Sequence, residues 1–233
     1  MRISKLATCL ALLGTFASAG TAHAQSTNVN VQGLIVPPAC SAQFAGGADL
    51  DWGTISHNSL SDKTMTVLKS KSVTLQTQCD DGLTTHMALW AVDANPQSAL
   101  TGIRVPGTNG LNGDDSTRIF GIGMDPLTNQ KLGNFTMIPT TSSYDGTVNS
   151  KNYGFVRTST HTETNFSTSS FTDNSGYETN TDHTVVDAAN NPAVANTFTY
   201  SFDVYPQLNK KSAISNSQEV PFNGTAQFYV RYF

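Results

Sequence analysis

The chain has 233 residues, with 13 Lys+Arg against 17 Asp+Glu for a formal net charge of −4, and only 13% of its residues are charged. No basic run offsets that acidic balance, which argues against a polyanion such as nucleic acid as partner. Thr, Ser, Asn and Gly abound, a composition that suits sheet faces and turns rather than helices.

Taken in chain order, residues 1–24 read as a secretory leader. Arg2 and Lys5 give a positive start, Leu6 to Ala19 is an apolar run, and Ala22-His23-Ala24 fits small-x-small cleavage. The mature chain then begins at Gln25 and carries a net charge of −6, because Arg2 and Lys5 leave with the leader. The leader's apolar run is too short for a membrane span, and no later segment approaches the ~20 apolar residues a spanning helix needs. The sequence thus predicts an exported protein without a membrane span. Cys9 also leaves with the leader, so Cys40 and Cys79 remain. An isolated pair in an exported chain is expected to form a disulfide, worth about 4 kcal/mol in the chain-entropy picture.

Strand signals follow one another from here. Val29 to Cys40 alternates. Ser72 to Cys79 puts Val73, Leu75, Thr77 and Cys79 on one face, and His86 to Val92 reads as an inner strand. Arg118 to Met124 is another, with glycines that imply close packing or a bulge. Lys131 to Ile138 and Asn152 to Arg157 are shorter strands. Thr197 to Tyr205 alternates again and is expected to end at Pro206, and Gly224 to Phe233 alternates up to the final residue. Turn signals such as Asn109-Gly110, Asn112-Gly113-Asp114-Asp115, Asn174-Ser175-Gly176 and Asn190-Asn191-Pro192 separate them. Many short strands with this punctuation predict an all-β sandwich. Thr158 to Asp182, dense in Thr, Ser and Asn, reads as a long loop or a polar edge hairpin anchored by Phe166, Phe171 and Tyr177.

These segments resemble the chaperone–usher pilus subunits of Gram-negative bacteria, and more closely their fimbrial-like exported relatives of unassigned function. Val29 to Cys40, with Gly33, is similar to the lead-in to a pilin's first strand. Leu50-Asp51-Trp52-Gly53-Thr54-Ile55 resembles the hydrophobic–x–aromatic–Gly element after the first cysteine. Ser72 to Cys79 resembles the strand with the second cysteine, and Phe228 to Phe233 the pilin C-terminal strand with its aromatic penultimate residue, here Tyr232. The resemblance implies an immunoglobulin-like (pilin-type) β-sandwich over 40–233, lacking its last strand and enlarged by a polar insertion. It also implies a donor-like extension at 25–39 with Val29, Val31, Gly33 and Ile35 as its working residues. Completion would come from a periplasmic pilus chaperone and then from another pilus subunit by strand addition. In that scheme Ala226, Phe228, Val230 and Tyr232 face the core, and Phe233 offers its carboxylate to the chaperone. Only 15 residues, Gln25 to Ala39, precede Cys40, so insertion of a full-length donor strand would be cramped. Localisation follows as the periplasm, then the cell surface or the medium.

Other chemistry is poorly supported by the residues. His57, His86, His161 and His183 form no metal motif, no nucleophile elbow occurs, and no Ser/His/Asp set stands out. The sequence therefore predicts no enzyme, no cofactor and no metal; Asp114-Asp115 and Asp173-Asn174 are explained by Asx turns rather than calcium. Trp52 and Trp90 sit in apolar contexts that predict core packing. An alternative reading is a self-complete secreted sandwich that recognises a host glycan or surface through Tyr153, Phe155, Phe166, Phe171 and Tyr177. Asn134-Phe135-Thr136 and Asn165-Phe166-Ser167 match the N-glycosylation triplet, which the bacterial-type resemblance treats as incidental.

Overall fold

Alternating apolar residues and frequent turns produce two antiparallel sheets. The computed structural model describes residues 40–80, 82–101, 117–173 and 176–233. In chain order its strands are β1 (Cys40–Phe44), β2 (Thr66–Val67), β3 (Lys71–Cys79), β4 (Met87–Asp93), β5 (Phe120–Gly121), β6 (Gly133–Tyr144), β7 (Thr147–Asn149), β8 (Asn152–Arg157), β9 (Ser167–Ser170), β10 (Thr181–Thr184), β11 (Thr197–Leu208) and β12 (Ala226–Tyr232). The first sheet has the order β1-β3-β11-β6-β5, with β2 also on β11 and β7 on β6; the second has the order β12-β4-β10-β8-β9. Four short 3-10 turns are the only helical elements among the described residues, and no described helix is long and apolar enough to cross a membrane.

The all-β sandwich expected from the sequence is what forms. Val73, Leu75, Thr77 and Cys79 are buried on one face of β3 as the alternation requires. Val73, Leu75 and Thr77 meet Phe202, Tyr200 and Phe198 of β11 across the ladder, and Val73 and Leu75 share the core with Met87, Leu89 and Ala91 of β4. The cysteines pair: Cys40 and Cys79 are disulfide-bonded at the register position where β1 meets β3. The leader and the 25–39 extension, with Val29, Val31, Gly33 and Ile35, lie outside the described residues, as do Asp114-Asp115.

Three expectations need correction. Pro206 does not end β11, which runs on to Leu208 with Pro206 opposite Phe135 of β6. The Pro206 carbonyl accepts from the Leu68 N–H at 2.9 Å. The missing proline donor therefore falls on that same flank, at the break between β2 and β3, where it disrupts no ladder. The strand expected over Arg118 to Met124 shrinks to Phe120–Gly121. There a Cβ on Gly121 would lie 2.2 Å from Ser98 Oγ and 2.3 Å from the Asn95 carbonyl, so close backbone approach is the reason for the glycine. Finally, the polar stretch from Thr158 to Asp182, expected as a long loop or a polar edge hairpin, forms the edge strand β9 on β8 and then enters a central strand. Thr181-Asp182-His183-Thr184 forms β10, buried at every position between β4 and β8.

This polar strand survives burial because each side chain finds a partner. Thr184 Oγ1 donates to the Met87 carbonyl at 2.6 Å, Thr181 Oγ1 to Glu178, and Asp182 takes His161 Nδ1 at 2.5 Å and Arg231 Nη2 at 3.4 Å. His183 Nδ1 lies 2.8 Å from the Tyr200 hydroxyl. Burial, and secondarily the nearby Arg118 charge, push the His183 pKa down to about 3, so the imidazole is neutral.

Candidate strand-docking groove

The C-terminal strand β12 sets the site. Its register on β4 runs from Ala226 opposite Asp93 to Tyr232 opposite Met87. His86 and Phe233 exchange both backbone bonds, at 3.1 and 3.2 Å, and the Ala94 N–H donates to the Thr225 carbonyl at 3.0 Å. Antiparallel ladders alternate strictly. The odd-numbered residues from Thr225 to Phe233 therefore aim their backbone groups at β4, while Ala226, Phe228, Val230 and Tyr232 aim theirs at the opposite flank. Among the described residues no strand pairs on that flank.

The side chains of the same four residues point inward, as the sequence predicts. Ala226, Phe228, Val230 and Tyr232 are only half-buried, yet they pack on the core cluster. Phe228 meets Phe202 at 5.2 Å and the Phe44 ring edge-on at 5.4 Å. Phe44 ends β1, the edge strand of the first sheet, so β1 and β12 form the two lips of an apolar slot. The Tyr232 hydroxyl is buried with no hydrogen-bond partner among the described residues, and this desolvation raises its pKa.

Past Phe228 the slot opens into a cavity of about 350 Å³ walled by Phe44, Leu50, Trp52, Phe222, Ala226 and Phe228. Leu50, Trp52 and Phe222 are shared with a larger cleft of about 890 Å³ that reaches Leu60, Leu132 and Ile214. The Leu50-Asp51-Trp52-Gly53 element builds this wall. Asp51 Oδ1 accepts the Gly53 N–H at 2.7 Å, and Gly53 takes a φ of 66°, a left-handed value that favours glycine. That turn fixes Trp52, whose Nε1 donates to the Lys69 carbonyl at 2.8 Å while the Lys71 ammonium lies 5.3 Å from its ring centre. Trp52 is thus a half-buried wall residue rather than a core residue.

The segment entering β12 is pinned from below. Asp125 is fully buried. Its Oδ2 accepts the Ser215 N–H at 2.6 Å, and its Oδ1 accepts those of Leu127 and Thr128 at 2.8 and 3.1 Å. The Ser215 bond first, and then the other two, hold this carboxyl below the usual carboxylate range. A depressed carboxyl contributes stability above its unfolded pKa and loses it as pH falls through the folded value. Asp125→Ala leaves three donors without an acceptor. Amide exchange over residues 214–225 should accelerate while β3 stays protected; equal exchange in both variants would show that Asp125 is not the pin.

On the outer face of the second sheet the odd-numbered residues form a different surface. Trp90 does not enter the core: it stacks between His161 at 4.3 Å and Tyr229 at 5.2 Å, and Tyr229 is 40% exposed. Phe233 stacks on His86 at 5.0 Å and on Phe166 at 5.8 Å, with the Arg231 guanidinium 4.7 Å from its ring centre. Of the aromatics expected to offer a sugar surface, Tyr153, Phe171 and Tyr177 are buried. The Tyr177 hydroxyl donates to the Leu89 carbonyl at 2.9 Å. They anchor the insertion to the core and cannot serve as a stacking platform.

Sequence reasoning found β12 and Trp52 but missed Phe44 and Phe222, which stand in short or irregular segments where periodicity gives no signal. Among the described residues no three His, Cys, Asp or Glu side chains converge on a metal-sized site. No curated protein matches the chain. A family model described as "Protein of unknown function (DUF1120)" matches residues 29–136, a span that takes in β1 to β5 and stops inside β6.

Proposed function

We propose that this chain is an exported, fimbrial-type structural or adhesive subunit whose sandwich is completed by a strand from another protein, first a periplasmic pilus chaperone and then a neighbouring subunit. The observation that carries the reading is the outer flank of β12. There the N–H and C=O groups of Phe228, Val230 and Tyr232 meet no strand among the described residues, directly beside a half-buried apolar slot. Such an edge is a template for strand addition. A strand of alternating apolar residues fits both requirements at once, since its backbone completes the ladder while every second side chain fills the slot. Val29, Val31, Gly33 and Ile35 of a second copy have that alternation.

The proposal is tested by Val230→Pro. The Val230 N–H points away from β4, so proline removes a donor only from the free flank, where an edge strand tolerates it. The ring also obstructs an incoming backbone. The full chain, exported together with each of a panel of periplasmic pilus chaperones, should co-purify with one of them. Val230→Pro should reduce that recovery by about tenfold or more, since one backbone hydrogen bond is worth roughly 1 kcal/mol before the clash is added. Val230→Thr, which keeps the donor, should be recovered nearly as well as the parent. Undiminished capture of Val230→Pro, or a parent chain that stays a soluble monomer with every chaperone, would end this reading.

A further inference from the structure

The chain carries three Asn-x-Ser/Thr triplets, at Asn134, Asn165 and Asn223, and the last has Pro221 rather than an acidic residue two positions before its asparagine. Asn134 lies in β6 between Gly121 of β5 and Gln207 of β11, is 1% exposed, and its Nδ2 donates to the Leu100 carbonyl at 2.6 Å. That carboxamide is closed to any transferase. Thr164 and Asn165 are instead exposed, in coil between the outer-face aromatics and β9. No hydrogen bond holds the Asn165 carboxamide among the described residues. Ser167 is the exposed first residue of β9, an edge strand of the second sheet.

The residues around Asn165 give the triplet a further mark. Glu163 stands two positions before the asparagine, so the stretch reads Glu163-Thr164-Asn165-Phe166-Ser167. Its carboxylate takes Thr160 Oγ1 and the Thr162 N–H, both at 3.0 Å. Hydroxyl bonds led by Thr158 hold its pKa down to about 2, so it carries charge at any ordinary pH. The stretch is fixed at both ends: Arg231 Nη2 donates to the Glu163 carbonyl at 2.6 Å, and the Phe166 ring stacks on Phe233. Thr164 and Asn165 therefore project from the outer face of the second sheet, on the side opposite the apolar slot. A carboxylate at −2, a free carboxamide and a hydroxyl at +2, on exposed backbone, is the pattern accepted by oligosaccharyltransferases that require an acidic residue before the asparagine.

We propose that Asn165 is an N-glycosylation acceptor of this acidic type. The co-substrate is an oligosaccharide carried on a polyprenyl diphosphate. The Asn165 amide nitrogen attacks C1 of the first sugar, the C1–N bond forms as the C1–O bond breaks, and the polyprenyl diphosphate leaves with the bonding pair. The amide proton passes to a base of the transferase, and nothing is oxidised or reduced. The modification requires export of the chain and is independent of whether β12 accepts a strand.

The test is to express the full chain in a bacterium that exports it and carries an acidic-sequon oligosaccharyltransferase with its lipid-linked oligosaccharide. Peptide mass spectrometry should show the glycan mass on the Asn165 peptide and none on the Asn134 peptide or on the Asn223 peptide, whose exposed triplet lacks the acidic residue. Asn165→Gln, Ser167→Ala and Glu163→Gln should each lower occupancy at least tenfold. All three lie on exposed or half-exposed backbone, and an unchanged thermal unfolding curve for each variant reports that it has folded. An unmodified Asn165 in cells that glycosylate a control acceptor would overturn the proposal. So would glycan on Asn134, or full occupancy in Glu163→Gln.

Discussion

Lowering the pH from about 6.5 to about 3 should remove roughly 4 kcal/mol of stability through His183 alone, the linkage value for a folded pKa of about 3 against 6.5 in the unfolded chain. The sign is fixed by which state binds the proton. Folded His183 is neutral, enclosed by Tyr153, Tyr177 and Tyr200, and hydrogen-bonded to the Tyr200 hydroxyl. The unfolded chain takes up a proton as pH falls below 6.5, and the folded chain does not follow until about 3. Stability is therefore complete above 6.5 and drains away through that window. About 2 kcal/mol should already be gone at pH 5. Carboxylates such as Asp125 lose their contribution mainly at lower pH, so urea unfolding of the parent and a His183 variant, compared between pH 6.5 and 4.5, isolates this histidine. His183→Gln, able to keep a bond to Tyr200, should flatten the dependence in that interval. Parallel curves for the two proteins would show that the His183 ring is solvated or shares its proton.

Reducing the Cys40–Cys79 bond should cost about 4 kcal/mol, the loop-closure value for a sequence separation of 39 residues. For a domain of this size that corresponds to a melting temperature lowered by roughly 8–16 °C. The damage should be local before it is global. β1 is an edge strand with Ser41, Ala42 and Gln43 exposed, and only Cys40 and Phe44 turn partly inward. Little besides its ladder to β3 would hold it once the sulfurs part. Amide exchange in β1 should rise first in a Cys40→Ser/Cys79→Ser variant, and strand capture at the groove should weaken because Phe44 forms one lip. A double variant that melts within about 2 °C of the parent would mean that the closed loop does not constrain the unfolded chain.

How much of this was legible in the sequence depends on the kind of signal. Strands with a period of two were found where one face is buried: β3, β11 and β12 lie where the alternation puts them, because there the hydrophobic pattern and the fold ask for the same thing. β10 was invisible for the opposite reason. Thr181-Asp182-His183-Thr184 contains nothing apolar, and it is central only because partners distant in sequence, Met87, Tyr200 and Arg231, satisfy it. The inward face of β12 was legible, and so was the Asp51-Trp52-Gly53 turn. The slot was not, since Phe44 and Phe222 join it only through tertiary packing. Trp90 shows the limit of context. Its apolar neighbours suggest the core, yet strand parity with Leu89 and Ala91 buried places its ring on the outer face.

The pairing of Met87 with Tyr232 sets a schedule for the second sheet. β4 can form its ladder with β10 once Thr184 is available, but its other edge waits for residues more than half the chain away. Contacts that far apart in sequence form late, so a nascent molecule spends its longest folding phase with two adjacent strands unsealed instead of one. Dilution, cold and a binding factor that holds β4 should rescue yield in that interval more than any improvement of the finished core.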